Sequence, residues 1–151
     1  MLCDTQTTVC LGFRTQWQTQ QFLEQLQVRL ARFGLSLNAS KTRLIEFGRF
    51  AAKNRRRRGL GKPETFDFLG FTHCCSANRS DGFQILRPTV KKRMRVTLLA
   101  IRDELKRRRH EPVRVVGQGL TRVVSGYFNY HAVPGNLIRL DGFRVAVCRL
   151  W

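Results

Sequence analysis

Acidic residues are scarce in this sequence. Ten Asp and Glu stand against 28 Lys and Arg in 151 residues, which leaves a formal net charge of +18. A folded surface with such an excess repels itself unless a polyanion neutralises it. Residues 1–40 contribute only +1 to this charge, because they hold three Arg and two acidic residues, so residues 41–151 carry +17. The charge therefore predicts a nucleic-acid partner for the larger, C-terminal part of the chain.

Long apolar runs and paired-cysteine motifs are also absent from the sequence. No stretch reaches the roughly 18 consecutive apolar residues that indicate a membrane-spanning helix. The five cysteines have no Cys-x-x-Cys spacing, and the odd number argues against a disulfide framework. Adjacent Cys74 and Cys75 follow His73 but lack the second ligand pair of a tetrahedral metal site. We therefore expect free thiols, no metal and no membrane contact, in a reducing compartment such as the bacterial cytoplasm or the interior of an organelle.

The first half of the chain has mixed secondary-structure signals. Apolar residues at helical spacing predict a helix over residues 15–33 that ends at Gly34. Alternating residues predict strands over 9–13, 35–37, 42–47, 65–72 and 83–86. Turns are predicted at residues 38–40 and 80–82. The arginine-rich run between Gly48 and Glu64 is flanked by glycines and predicts a solvated or phosphate-binding loop.

From residue 88 the apolar period becomes helical. An apolar stripe comprises Val90, Met94, Leu98, Ile101 and Leu105. Thr89 is placed to cap that helix, and Asn136 is placed to cap the last of three. The middle helix is expected from about Gly119 to Tyr130. Short connections between three amphipathic helices predict an antiparallel bundle. The sequence thus predicts an α+β chain with a boundary between residues 87 and 88.

Three segments resemble the reverse transcriptases that group II introns encode. Residues 34–73, which contain GLSLNASKT (34–42) and FDFLGF (66–71), are similar to the last conserved blocks of the reverse transcriptase domain. GYFNYHAVPGN (126–136) is similar to the thumb or maturase segment known as domain X. The blocks follow the family's order and spacing across nearly the whole chain. The resemblance implies a partial palm, made of a helix and antiparallel strands, over residues 1–87 and a three-helix thumb-like bundle over residues 88–151.

The resemblance also implies what the parent protein does. Members of the family copy RNA into DNA and bind the intron RNA so that it splices. In the family, two aspartates of a Tyr-Ala-Asp-Asp turn hold the divalent ions, normally Mg²⁺. Counting back from Gly12 and Phe13 places Thr7 and Thr8 in those positions, and a neutral hydroxyl is a weak ligand for a hard dication. We therefore expect a fragment, truncated at both ends, without catalytic residues, cofactor or polymerase activity of its own.

RNA binding is the function that remains without the aspartates. The candidate contacts are Arg55, Arg56, Arg57 and Arg58; Lys91, Lys92, Arg93 and Arg95; Lys106, Arg107, Arg108 and Arg109; and Asn129, Tyr130 and His131. Guanidinium groups fork onto phosphates, and tyrosine rings stack on unpaired bases. Cations near a helix C-terminus also satisfy the helix dipole, which is the structural alternative for the third group. Tyr127 and Phe128 belong to an apolar stripe and are expected in the core.

Lys41 is a separate candidate. A lysine in the comparable block of polymerases neutralises the leaving pyrophosphate or protonates it. Without the metal-binding carboxylates, a surface or nucleic-acid-contacting lysine is the favoured interpretation.

Two functional interpretations remain open. The first is a polymerase-inactive fragment of a mobile element that binds group II intron RNA. Its further candidate partners are DNA and a polypeptide that supplies the missing fingers and palm, since half a palm leaves sheet edges uncovered. The second is a stand-alone RNA-binding or RNA-chaperone module. A nuclease is disfavoured, because Asp103 and Glu104, the only adjacent acidic pair, point to different faces of a helix.

Overall fold

The computed structural model describes residues 9–78 and 82–151 and divides the chain into two compact units after Glu46. The described residues hold five helices and one three-stranded antiparallel sheet, which confirms the predicted α+β class. The helices are α1 (Gln16–Ala31), α2 (Ala51–Arg57), α3 (Lys91–Arg107), α4 (Val113–His131) and α5 (Leu137–Leu150). The strands are β1 (Phe66–Phe68), β2 (Phe71–Ala77) and β3 (Phe83–Leu86). Among the described residues, no helix combines the length and the apolar character needed to cross a membrane.

Helix α1 dominates the first unit and ends where the sequence predicts. The Thr15 hydroxyl accepts a hydrogen bond from the Gln18 N–H at 3.3 Å and caps the helix start. At the other end the Leu35 N–H donates to the Leu30 carbonyl at 3.0 Å, across Gly34 in the left-handed conformation (φ +68°). The apolar side of α1 is only half covered, and none of the described residues 9–46 is fully buried.

The strands predicted in this first unit are not formed. Residues 9–13, 35–37 and 42–46 are irregular, although the turn at 38–40 is confirmed by the Asn38 carboxamide oxygen, which accepts from the Ser40 N–H at 3.1 Å. Alternation alone does not make a strand, because a strand needs a neighbour that accepts its backbone hydrogen bonds. Within the part of the chain that the structure describes, these segments have no such neighbour.

The segment predicted as a single strand over residues 65–72 is a hairpin. Phe68 pairs with Phe71, and Leu69 and Gly70 form a two-residue turn with positive φ of +48° and +84°. Positive φ at both central positions is the geometry of a type I′ hairpin turn. The sequence gives no signal for this turn, since Leu is not a usual turn residue. The second predicted hairpin is confirmed by the antiparallel pairing of β2 with β3, while Ser80 and Asp81 of its turn lie outside the described residues.

Helices α3, α4 and α5 pack around one hydrophobic core. Its buried members are Ile101, Tyr127, Leu140, Phe143 and Val147. Phe143 is completely buried, and its ring stacks on that of Tyr127 with centroids 3.7 Å apart. The predicted core position of Tyr127 is confirmed. Helix α4 begins at Val113, before the predicted start near Gly119, and Val116 in its first turn is buried.

The predicted cap of α3 is wrong, since Val90 and not Thr89 is its N-cap residue, whereas Asn136 does stand at the N-cap position of α5 as predicted. Neither Thr89 nor Asn136 caps its helix with its side chain. Instead the two residues are buried and bond to each other across the chain. This pair joins the start of α3 to the α4–α5 connection.

Candidate nucleic-acid interface

Helix α3 presents a row of cations to solvent. The row comprises Lys91, Lys92, Arg95, Arg102 and Lys106, all exposed, and we refer to it as the basic face. Lys91, Arg95, Arg102 and Lys106 follow one another at intervals of four, seven and four residues, and Lys92 lies three residues before Arg95. The five therefore share one side of the helix, next to the stripe through Leu98 and Ile101 that packs into the core. At 1.5 Å of rise per residue the basic face is about 22 Å long.

Most cations of the basic face have no counter-charge among the described residues. Within residues 9–78 and 82–151, no carboxylate lies within 4.0 Å of the ammonium or guanidinium groups of Lys91, Lys92, Arg95 or Lys106. Arg102 bonds to the neighbouring Asp103 at 3.0 Å. Four charges of one sign on one helix side repel one another until an external anion lies between them.

Arg93 belongs to another part of the surface. It lies away from the basic face, and its guanidinium covers Gly70 in the β1–β2 turn, 3.2 Å from where a Cβ would stand. A side chain at position 70 would therefore press on Arg93, and the positive φ of Gly70 also favours glycine. The predicted contact role of Arg93 is thus combined with a packing role.

The cations predicted at the C-terminal end of α3 are largely paired. Arg107 bonds to Glu104 at 2.6 Å, and Arg108 bonds to both oxygens of Glu111 at 2.6–3.0 Å. The hydrogen bond from Arg108 lowers the pKa of the Glu111 carboxyl below its usual value. These pairs hold the corner between α3 and α4 and offset two of the four predicted charges. Arg109 makes a different contact, since its Nε donates to the His110 ring at 3.0 Å.

The arginine run is a helix, so the predicted loop is wrong. Gly48 (φ +126°) and Gly59 (φ +68°) flank α2, and Ala51 is buried at 3% exposure. Arginine is a good helix former, and one buried alanine is enough to orient the two turns. Arg55 faces the protein, where it bonds to Glu64 at 3.4 Å and to the Gly61 carbonyl at 3.2 Å.

Arg56 and Arg57 of α2, and Arg58 directly after the helix, are exposed. Arg58 donates from Nε to the Asn54 carbonyl at 3.4 Å, while Arg56 and Arg57 extend from the helix surface. Arg56 and Arg57 are thus available to a ligand, while Arg55 and Arg58 make contacts within the protein.

Tyr130 and His131 make contacts within the protein, although Tyr130 is still 52% exposed. The Tyr130 hydroxyl donates to the Leu69 carbonyl at 2.7 Å, and its ring lies over Phe71 with centroids 5.8 Å apart. The His131 ring stacks on Tyr127 at 4.0 Å, with its Nδ1 2.9 Å from the Tyr127 carbonyl oxygen. Asn129 is exposed. The aromatic positions favoured from the sequence for base contact therefore help to dock the hairpin onto α4.

One exposed aromatic residue beside the arginines was missed. Phe50 precedes α2 and is 64% exposed, with the Arg49 guanidinium 5.9 Å from its ring centroid. The signal in the sequence was a phenylalanine inside a run of basic residues, GRFAAKNRRRR.

A metal-binding cluster is not formed by the described residues. They contain no group of three or more His, Cys, Asp and Glu side chains placed to hold a metal ion. Thr7 and Thr8, in the expected aspartate positions, lie outside the described residues. Lys41 is exposed in the turn that follows Asn38. Burial raises the pKa of the Cys74 thiol, and the neighbouring Cys75 adds to this effect, so Cys74 is a poor thiolate nucleophile or ligand.

Comparison with known proteins adds no relative. No protein-family model matches the chain, and no curated protein or solved structure matches it either. The resemblance to group II intron reverse transcriptases therefore rests on the sequence blocks, and the palm and thumb assignment with its boundary at residues 87 and 88 stays a prediction.

Proposed function

We propose that this protein binds RNA through the basic face of α3 and has no polymerase activity of its own. One observation carries the proposal: Lys91, Lys92, Arg95 and Lys106 line one side of a helix without a carboxylate partner in the described residues. A row about 22 Å long fits a polymer of phosphates better than a single small anion, because only a polymer reaches all the charges at once.

The finer proposal concerns ancestry. The blocks at residues 34–42, 66–71 and 126–136 support a fragment of a group II intron reverse transcriptase and maturase, with intron RNA as its ligand. Thr7 and Thr8 in place of the aspartates support loss of the polymerase reaction. A primer-extension assay with the pure chain and Mg²⁺ tests this point. We expect no nucleotide addition, and metal-dependent extension would contradict the proposal.

Binding is tested by the salt dependence of RNA affinity. The variant combines Lys92→Gln, Arg95→Gln and Lys106→Gln, all at exposed positions, so the fold is retained. Each phosphate contact to a single strand contributes about −0.7 to the slope of log K against log salt. We expect the slope to become shallower by roughly 2 in the triple variant. An unchanged slope would remove α3 as the binding surface.

Competition separates intron recognition from general RNA binding. A labelled group II intron RNA is bound at physiological salt, and excess unrelated structured RNA is added. Retention of the intron RNA supports the maturase ancestry. Complete displacement supports the stand-alone RNA-binding module instead and leaves the role of the basic face intact.

A further inference from the structure

Phe50 is held on the outside of the protein by a fixed backbone. The Ala51 N–H donates to the Gly48 carbonyl at 3.1 Å, and the Asn54 N–H donates to the Phe50 carbonyl at 2.9 Å. Ala51, the next residue, is buried at 3% exposure. The outward direction of Phe50 is therefore set by the same helical turn that buries its neighbour.

The residues around Phe50 are cationic and exposed. Positions 53 and 57 follow Phe50 at helical intervals of three and seven residues, so Lys53 and Arg57 share its side of α2. Arg49 lies 5.9 Å from the ring centroid. The inward side holds Ala51 and Arg55, and the Arg55 charge is offset by Glu64. One side of α2 therefore packs against the protein, and the other side has the exposed Phe50 ring and three cations.

An apolar ring among cations suits one class of ligand. A base stacks on an aromatic ring through its π face, while cations beside the ring neutralise the phosphates on either side. A duplex does not offer this contact, because its bases are already stacked and paired.

We propose that Phe50 is a stacking platform for an unpaired base of single-stranded nucleic acid, with Arg49, Lys53 and Arg57 on the flanking phosphates. This inference rests on the proposed RNA binding and names the form of RNA that the protein takes. It also assigns base stacking to Phe50, while Tyr130 is bonded to the hairpin turn.

The experiment compares two probes and four proteins. The probes are a 12-nucleotide oligouridylate and a 12-base-pair RNA duplex of mixed sequence. The proteins are the wild type, Phe50→Ala, Phe50→Tyr and Trp17→Ala. Trp17 is a matched control, because it is 67% exposed and lies between glutamines. Affinities are measured at physiological salt, and circular dichroism checks the fold of each variant.

We expect Phe50→Ala to weaken oligouridylate binding by about 5- to 150-fold, the range that removal of one stacking ring gives. Its affinity for the duplex should stay within about twofold of wild type, because no unpaired base is lost from that contact. Phe50→Tyr and Trp17→Ala should bind both probes as the wild type does.

Several outcomes would overturn the inference. An unchanged affinity of Phe50→Ala for oligouridylate, or an equal loss on both probes, shows that Phe50 does not stack on a base. If the wild type binds RNA, such results leave the proposed function standing. If the wild type binds neither probe, both proposals fail.

Discussion

The Asn136 side chain and Thr89 exchange two hydrogen bonds over 47 residues of chain. The Asn136 carboxamide oxygen accepts from the Thr89 N–H at 2.8 Å, and its amide nitrogen donates to the Thr89 hydroxyl at 2.8 Å. The same nitrogen donates to the His131 carbonyl at 2.8 Å. Asn136 is completely buried and Thr89 is 2% exposed, so water cannot replace any of these partners.

Asn136→Ala should therefore destabilise the protein strongly. The substitution leaves the buried Thr89 N–H without its partner, and a buried unsatisfied group costs about 1–3 kcal/mol. It also removes the bonds to the Thr89 hydroxyl and to the His131 carbonyl, which still accepts from the Val133 N–H at 2.8 Å. We expect the free energy of unfolding to fall by about 2–4 kcal/mol in urea titrations. Thr89→Ser keeps the hydroxyl and should lose clearly less. A near-neutral Asn136→Ala variant would show that the pair contributes little.

Paired and unpaired arginines on α3 should differ in RNA binding. Arg95 belongs to the basic face and has no carboxylate partner in the described residues, whereas Arg107 bonds to Glu104 at 2.6 Å. Arg95→Gln should weaken RNA binding more than Arg107→Gln, because the charge of Arg107 is already offset. Filter binding or fluorescence anisotropy at two salt concentrations measures this difference. Equal losses would mean that local pairing does not decide which cations contact phosphate.

The corner between α3 and α4 should be sensitive to acid. Arg108 lowers the pKa of the Glu111 carboxyl from its usual 4.5, so the folded state favours the charged form. The stabilisation is present above that value and is lost as the pH falls below 4.5. The difference in Tm between wild type and Glu111→Gln should be present at neutral pH and should disappear in acid. A difference that persists at low pH would contradict the ion-pair origin.

A single substitution at Leu69 should stabilise the β1–β2 turn. Leu69 has a φ of +48° and is 64% exposed, so its side chain contributes little burial while its backbone is unfavourable. Asparagine is favoured at this position of a type I′ turn. Leu69→Asn should raise the free energy of unfolding by about 1 kcal/mol. Since the Tyr130 hydroxyl bonds to the carbonyl of residue 69, that contact should survive the substitution. A loss of stability would show that the Leu69 side chain itself is needed.

Prediction from the sequence was most accurate where the spacing of apolar residues indicates which side of a helix is buried. The α3 stripe through Leu98 and Ile101 and the core position of Tyr127 follow from helical spacing, and both face the core. The cap at Gly34 also follows from local chemistry, since glycine alone takes positive φ without strain.

Prediction from the sequence failed where contacts between residues far apart in the chain determine the local structure. Nothing local shows that Thr89 bonds to Asn136 instead of capping a helix. The turn at Leu69 was hidden because leucine is rare at positive φ, and its carbonyl is held by Tyr130, 61 residues away. For the candidate interface, the run of four arginines predicted availability to phosphate, but the pairing of Arg55 with Glu64 depends on how the chain folds back.

Helix α1 is capped at both ends, but no side of it is fully buried. Its caps are local, and none of the described residues 9–46 is fully buried. Without an internal core, opening of α1 exposes little additional apolar surface and costs little free energy. Its backbone amides should exchange with deuterium well before those of α4 and α5, which surround Phe143. The chain would then melt in two stages, with the first stage confined to the N-terminal unit.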